Sequence, residues 1–356
     1  MHPPPEAAAA SAGARDAAAA LQALSETLPL PGHPGPPSLF TEAASLLGGT
    51  IHLAGVSSKI GEETVCGSAA AVGDLPLDRA YFELLERVSV LRAMARTDAT
   101  FSVRGASGRR TGEVGHARLF SSPESPSWRA ARSNGVAIGS SWESAARHAH
   151  WELLERDRVL RSWYGESAPR PICGPDSLAH FPDRASLSYE IQAYELGSDH
   201  EGVVAGVFAF PHGQEPLSYG FAARSSRETA VSAAALECVQ RLGFLWGEPV
   251  PTSDPEPAPC PDYHQEFYLV PANHRALRAW LSGEHVRFRG LLGHPEGGRE
   301  ATSSPAGDAA DLTPPELAGR LCVAKAIHAD RVPLVFGRGH PWLCEVPPPL
   351  AVHPLA

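Results

Sequence analysis

Apolar side chains in this chain recur at helical spacing in three stretches. Between Trp142 and Trp163, Ala145, Ala149, Leu153, Leu160 and Trp163 lie along one stripe, with no Pro or Gly until Gly165. Ser133-Asn134-Gly135 precedes it as turn chemistry, since Asn and Gly both tolerate positive φ. Gly139 keeps the backbone compact, and Ser140 or Ser141 is placed to cap the helix. Similar stripes predict helices over 77–95 and 226–244.

The polar positions of these helices repeat as well. Glu152 and Glu155 stand three apart, on neighbouring ridges of one face. Residues 83–87 spell Glu-Leu-Leu-Glu-Arg, as do residues 152–156, and the third helix carries Glu237 and Gln240 at the same separation. One such helix is an ordinary solvated amphipath. Three of them, each behind a glycine-containing turn or strand, predict a repeated strand-turn-helix unit and an α+β (α/β-like) fold.

The connecting segments carry weaker signals. An amphipathic stretch, 39–47, leads to a strand over 50–56, then to a small-residue loop or strand pair over 59–72, with Asp74 placed to cap the first helix. Residues 98–128 read as an exposed excursion with short strands. A hairpin is expected from 186–196 and 202–210 about the 197–202 loop. Gly220 opens the third helix, 249–261 is a Pro-rich linker, and 321–336 reads as a short strand pair.

Composition narrows the function classes. With 356 residues and 43% hydrophobic content, the chain can bury a substantial core. Its 40 acidic and 30 basic residues, net −10, argue against nucleic acid or an anionic membrane as the main partner. Only Lys59 and Lys325 are lysines. Six cysteines without a C-x-x-C pair suggest neither a zinc ribbon nor a disulfide framework, so a reduced, cytoplasmic setting is expected. No window is apolar enough to span a membrane.

Four carboxylates from two helices, with Glu237 and Gln240 from a third, are more acid than a buried site holds without cations. An all-oxygen set suits Mg²⁺, which bridges carboxylates to phosphates, so a nucleotide triphosphate is the natural second half. The turns at 67–71 and 133–139 offer backbone N–H groups to phosphate, although no P-loop occurs. His148 and Glu152 at i,i+4 have no third ligand at zinc spacing. Cys238 reads as a small buried thiol.

The turn Ser133-Asn134-Gly135-x-Ala137-x-Gly139, followed by Glu152-Leu-Leu-Glu155-Arg156-Asp157, resembles the hallmark of the YcaO family of ATP-dependent peptide-backbone-activating enzymes. Residues 83–89 resemble its first Glu-x-x-Glu-Arg helix and residues 220–240 its third. The resemblance implies a YcaO-type fold with ATP and Mg²⁺ as cofactors. Glu83, Glu86, Glu152 and Glu155 would hold metal and phosphates, while Ser133, Asn134, Gly135, Glu237 and Gln240 would complete the nucleotide site.

The implied reaction is cyclodehydration of a ribosomally made precursor peptide, with Cys, Ser or Thr becoming thiazoline or oxazoline. A thioamide- or amidine-forming relative and a non-catalytic peptide-binding scaffold are the alternatives. Arg79 and Ser144 stand where the family often has Ser and Glu, with Glu143 beside the latter as a substitute. The implied organisation is a flexible Ala/Pro-rich arm (1–37), a catalytic domain (38–345) and a Pro-rich tail (346–356), whose Pro347, Pro349 and Pro354 would approach the active site. A separate leader-binding, E1-like partner and a homodimer or heteromeric synthetase are also implied.

Overall fold

The computed structural model describes residues 5–33, 35–46, 49–120, 127–173, 188–292, 307–327, 330–340, 346–347 and 350–355. Helix α1 (Pro5–Thr27) leads into an antiparallel meander of β1 (Ser38–Leu46), β2 (Gly49–Ile60) and β3 (Glu63–Val72), and then into α2 (Leu77–Met94). The amphipathic stretch 39–47 is thus a strand, and the small-residue segment after it is the second hairpin of the sheet. Within the segment expected as an arm, Leu21 and Leu30 are buried against α2, and Tyr81 donates to the Leu28 carbonyl. Asp74 does not cap α2, whose N-cap position is Pro76 without a side-chain hydrogen bond.

β4 (Thr100–Arg104) and β5 (Arg110–Gly115) lead to α3 (His116–Leu119), β6 (Trp128–Ala130), β7 (Val136–Gly139) and α4 (Trp142–Trp163). The expected excursion does consist of short, mostly exposed strands, but it is anchored in the fold. β5 and β4 form one side of a five-stranded sheet, and Phe101, Val103 and Val114 are buried beneath α2. Ser141 caps α4 by accepting from Ser144 N. The helix stops where Gly165 adopts φ +84° and Glu166 N closes back on the Arg161 carbonyl.

β8 (Arg170–Pro171), β9 (Tyr189–Ser198), β10 (Val203–Pro211) and β11 (Ser218–Arg224) form a four-stranded sheet, with β9 and β10 paired as the expected hairpin. Gly220 lies within β11 rather than in a helix-opening turn. α5 (Arg227–Leu245) packs its Ala-rich face, including Ala230, Ala234 and Ala235, on that sheet. Beyond it come α6 (Pro261–Phe267), α7 (His274–Leu281), β12 (Ala309–Asp311), β13 (Cys322–Ala326) and β14 (Val335–Gly337).

The last three strands do not form a pair of their own. β12 and β13 complete the five-stranded sheet in the order β5-β4-β12-β13-β7, whereas β14 pairs with β6. The other face of the four-stranded sheet carries an aromatic core of Trp163, Phe208, Phe221, Tyr268 and Trp280. Residues 350–355 enter this core: the Trp163 indole donates to the Leu350 carbonyl and Tyr268 to that of Val352. No described helix is long and apolar enough to cross a membrane.

Candidate functional site

One local construction appears three times. In each unit a strand passes so close to its helix that the amide after a glycine donates to the first glutamate. Ser68 N donates to Glu83 (2.7 Å), Val136 N to Glu152 (3.2 Å) and Phe221 N to Glu237 (3.2 Å). The glycines make the approach feasible. A Cβ on Gly67 would stand 2.2 Å from the Ala80 carbonyl, and one on Gly220 would stand 2.4 Å from that of Ala234. Gly135, at φ +66°, holds the same place against α4.

The second polar residue of each motif reaches beyond its own unit in two of the three cases. Glu86 accepts from Ile138 N on β7 at 3.1 Å, and the Gln240 amide donates to the Ala70 carbonyl on β3 at 2.8 Å. Ala70 and Ile138 each lie two residues after the amide that serves their own unit's glutamate. Arg79 also donates to the Ala70 carbonyl (3.1 Å), which explains what an arginine does at that position. The three strand–helix units are therefore cross-linked in sequence, unit one to unit two and unit three to unit one.

The arginines after the motifs behave differently. Arg87 pairs with Glu83 at 2.5 Å, and Arg156 pairs with Glu152 while also donating to the Ser133 carbonyl and Asn134 Oδ1. Arg241 instead lies over the Tyr219 ring, 4.2 Å from its centroid.

A cavity of about 350 Å³ opens between these elements, lined by Glu83, Glu86 and Arg87 of α2, Glu152, Glu155 and Arg156 of α4, Ser133 of the turn, and Arg224 at the end of β11. Burial, then the charges of Glu152 and Glu83, raise the Glu86 carboxyl well above its ordinary value. Burial and Glu237 do the same to Glu155. Glu152 is raised by burial despite Arg156 and Lys325 nearby. Glu237 keeps part of its surface in solvent, yet the protein packed around its carboxyl raises it to about 7. Carboxyls that desolvate and repel one another in this way are under-supplied with cations.

The residues expected at the site are thus partly brought together. Glu83, Glu86, Ser133, Glu152 and Glu155 face one cavity. Asn134, Gly135 and Gln240 stand behind it, holding or carrying its walls, and Glu237 acts on it through Glu155. Glu143 is exposed and pairs with Arg147 rather than replacing a cavity acid, whereas Ser144 Oγ lies 3.5 Å from Nδ1 of His148, a cavity residue. Among the described residues no three His, Cys, Asp or Glu side chains, the four glutamates included, already converge closely enough to hold a metal ion. Cys238 is buried, its thiol pushed up to about 12.

None of the tail's described residues lines the cavity. Pro354 is buried with the aromatic core, Pro347 is not a lining residue, and Pro349 lies outside the described residues. Two positions escaped the sequence reading. Arg224 ends β11 with no charged pattern to mark it, and Lys325 sits on β13 within an apolar run, where only its rarity could have signalled it.

Residues 114–314, more than half of the chain, match the family model for YcaO cyclodehydratases, described as ATP- and Mg²⁺-binding. The chain belongs to the YcaO family. Its YcaO fold is shared with YcaO from Methanopyrus kandleri bound with AMPPCP and Mg²⁺, at 16% identity and a TM-score of 0.54, over 85% of this chain and 86% of that one. A heterocyclase in complex with substrate and cofactor is similar at 16% identity and a TM-score of 0.51, over 81% of this chain. The match spans 48% of that heterocyclase, about half its length. No curated protein matches the sequence. The YcaO match begins after α2, so Glu83 and Glu86 join the site by geometry, through the Glu86–Ile138 contact.

Proposed function

We propose that this YcaO protein binds ATP with Mg²⁺ in the carboxylate-lined cavity and uses it to activate a backbone amide in a ribosomally made precursor peptide. The observation that carries this reading is the convergence of Glu83, Glu86, Glu152 and Glu155, from two repeats, on one cavity that raises the carboxyls of Glu86, Glu152 and Glu155. An all-oxygen donor set of mutually repelling acids fits Mg²⁺, and Arg87, Arg156 and Arg224 on the same walls fit phosphate oxygens. These four glutamates would hold the metal, with Ser133, Asn134, Gly135, Glu237 and Gln240 completing or supporting the nucleotide site.

In this reading a Cys, Ser or Thr side chain of the peptide attacks the preceding carbonyl carbon and yields an oxyanion. Bound ATP supplies the phosphoryl group that lets that oxygen depart as phosphate. The protein's own part is positional and electrostatic: the arginines offset developing negative charge, and the two-helix wall fixes the direction of transfer. A separate leader-binding partner would deliver the peptide.

One observation favours a second reading. Ser144, not an acid, stands one turn before the cavity residue His148, and Glu143 is exposed and paired with Arg147, which suits a subunit that binds nucleotide and peptide without turnover. The deciding experiment supplies Mg²⁺, ATP and synthetic peptides with internal Cys, Ser and Thr. Loss of one water per modified residue, matched by phosphate release, supports cyclodehydration. Nucleotide binding with no mass change on any peptide, with or without the partner, contradicts it and supports the binding subunit.

A further inference from the structure

The turn at 133–135 is gripped from behind. Its three successive carbonyls are each taken: that of Ser133 by Arg156 (3.3 Å), that of Asn134 by Lys325 Nζ (2.7 Å), and that of Gly135 by Ala326 N (2.8 Å). On the opposite side the amides of Gly135 and Val136 serve the Glu152 carboxylate. The turn thus links a cation on β13 to a cavity acid on α4. We propose that Lys325 is a positioning residue for the nucleotide site: by fixing the Asn134 carbonyl it sets the turn whose amides aim Glu152.

Several features show that this lysine is placed rather than incidental. It is one of two lysines in the chain and is buried in the middle of β13, opposite Val136 on β7. Arginine supplies nearly all other positive charge here, and a lysine brings a compact ammonium to one buried carbonyl where a forked guanidinium needs more room. The groups facing Lys325 are Glu152 and Arg156 of α4, the Asn134 carbonyl, and the Phe120 ring, 5.6 Å away. Burial, outweighing Glu152 and aided by Arg156, brings the ammonium down to about 8.

This inference rests on the nucleotide reading above, and its test separates the two. Amide hydrogen exchange over 132–138 is measured on the unliganded full chain, and AMPPCP·Mg²⁺ binding by calorimetry, for wild type, Lys325→Met and Lys325→Arg. In Lys325→Met the turn amides should exchange faster and the affinity should fall about tenfold or more. Lys325→Arg, which keeps the charge but brings a forked guanidinium to the same buried place, should recover part of the affinity and of the protection. Unchanged exchange or affinity in Lys325→Met overturns the proposal. If that variant does not fold, Lys325→Gln is measured in the same way, and unchanged exchange over 132–138 overturns the proposal. Absence of nucleotide binding by the wild type overturns the underlying reading instead, because exchange in the unliganded chain reports on the turn alone.

Discussion

Glu86 leaves its own strand–helix unit and accepts the amide of Ile138, 3.1 Å away on the strand of the next unit. A carboxylate that serves as a structural acceptor is thereby held among other carboxylates, where burial and the charges of Glu152 and Glu83 oppose its ionisation. Its two roles separate on substitution. Glu86→Gln keeps an acceptor for Ile138 and removes the charge, so thermal unfolding of the unliganded chain should not worsen, while Mg²⁺-nucleotide affinity should drop by about tenfold or more.

Glu237 links folding to pH. Its folded-state pKa, about 7, lies above the ordinary glutamate value of about 4.5. The folded chain therefore binds this proton more tightly than the unfolded chain does, and stability falls as pH rises from the unfolded value through about 7. Glu237→Gln removes that dependence. The stability of wild type relative to Glu237→Gln should decline across this window in urea titrations at a series of pH values, and a constant difference would contradict the assignment.

The close strand–helix approaches should be intolerant of even a methyl group. Gly67→Ala places a Cβ 2.2 Å from the Ala80 carbonyl and 2.4 Å from Leu84 N, both backbone atoms. Strand and helix must separate, which costs about 1–3 kcal/mol as overpacking and lengthens the Ser68–Glu83 bond. Chemical denaturation reads the first effect, and nucleotide binding reads the second.

The buried tail predicts a different pattern. Leu350 is fully buried in the aromatic core, so Leu350→Ala should destabilise the fold by about 2–5 kcal/mol. Nucleotide affinity of the folded protein should be nearly unchanged. A large loss of affinity with intact stability would instead place the tail in the site.

The three helices are legible in the sequence because each buries an uninterrupted apolar stripe, and the repeated Glu-Leu-Leu-Glu-Arg by itself marks two walls of one cavity. What the sequence hides lies in long-range pairing. β13 is a short apolar run until β7 and β12 flank it, and only then does Lys325 reach Asn134, 191 residues away. β4 reads as part of an exposed excursion because the strand that pairs with its inner edge, β12, comes from the far end of the chain. The tail's prolines signal extension, not destination: the rings that receive residues 350–355 include Trp163 of α4, His264 of α6, Tyr268 just after it and Phe336 of β14.

The most direct test of the account is calorimetric binding of AMPPCP with and without Mg²⁺ to the wild-type chain, Glu83→Gln and Glu155→Gln. Metal-dependent binding by the wild type, lost or weakened about tenfold or more in both variants, would place α2 and α4 around one nucleotide. Binding that ignores the metal, or that either variant retains in full, would contradict a shared site.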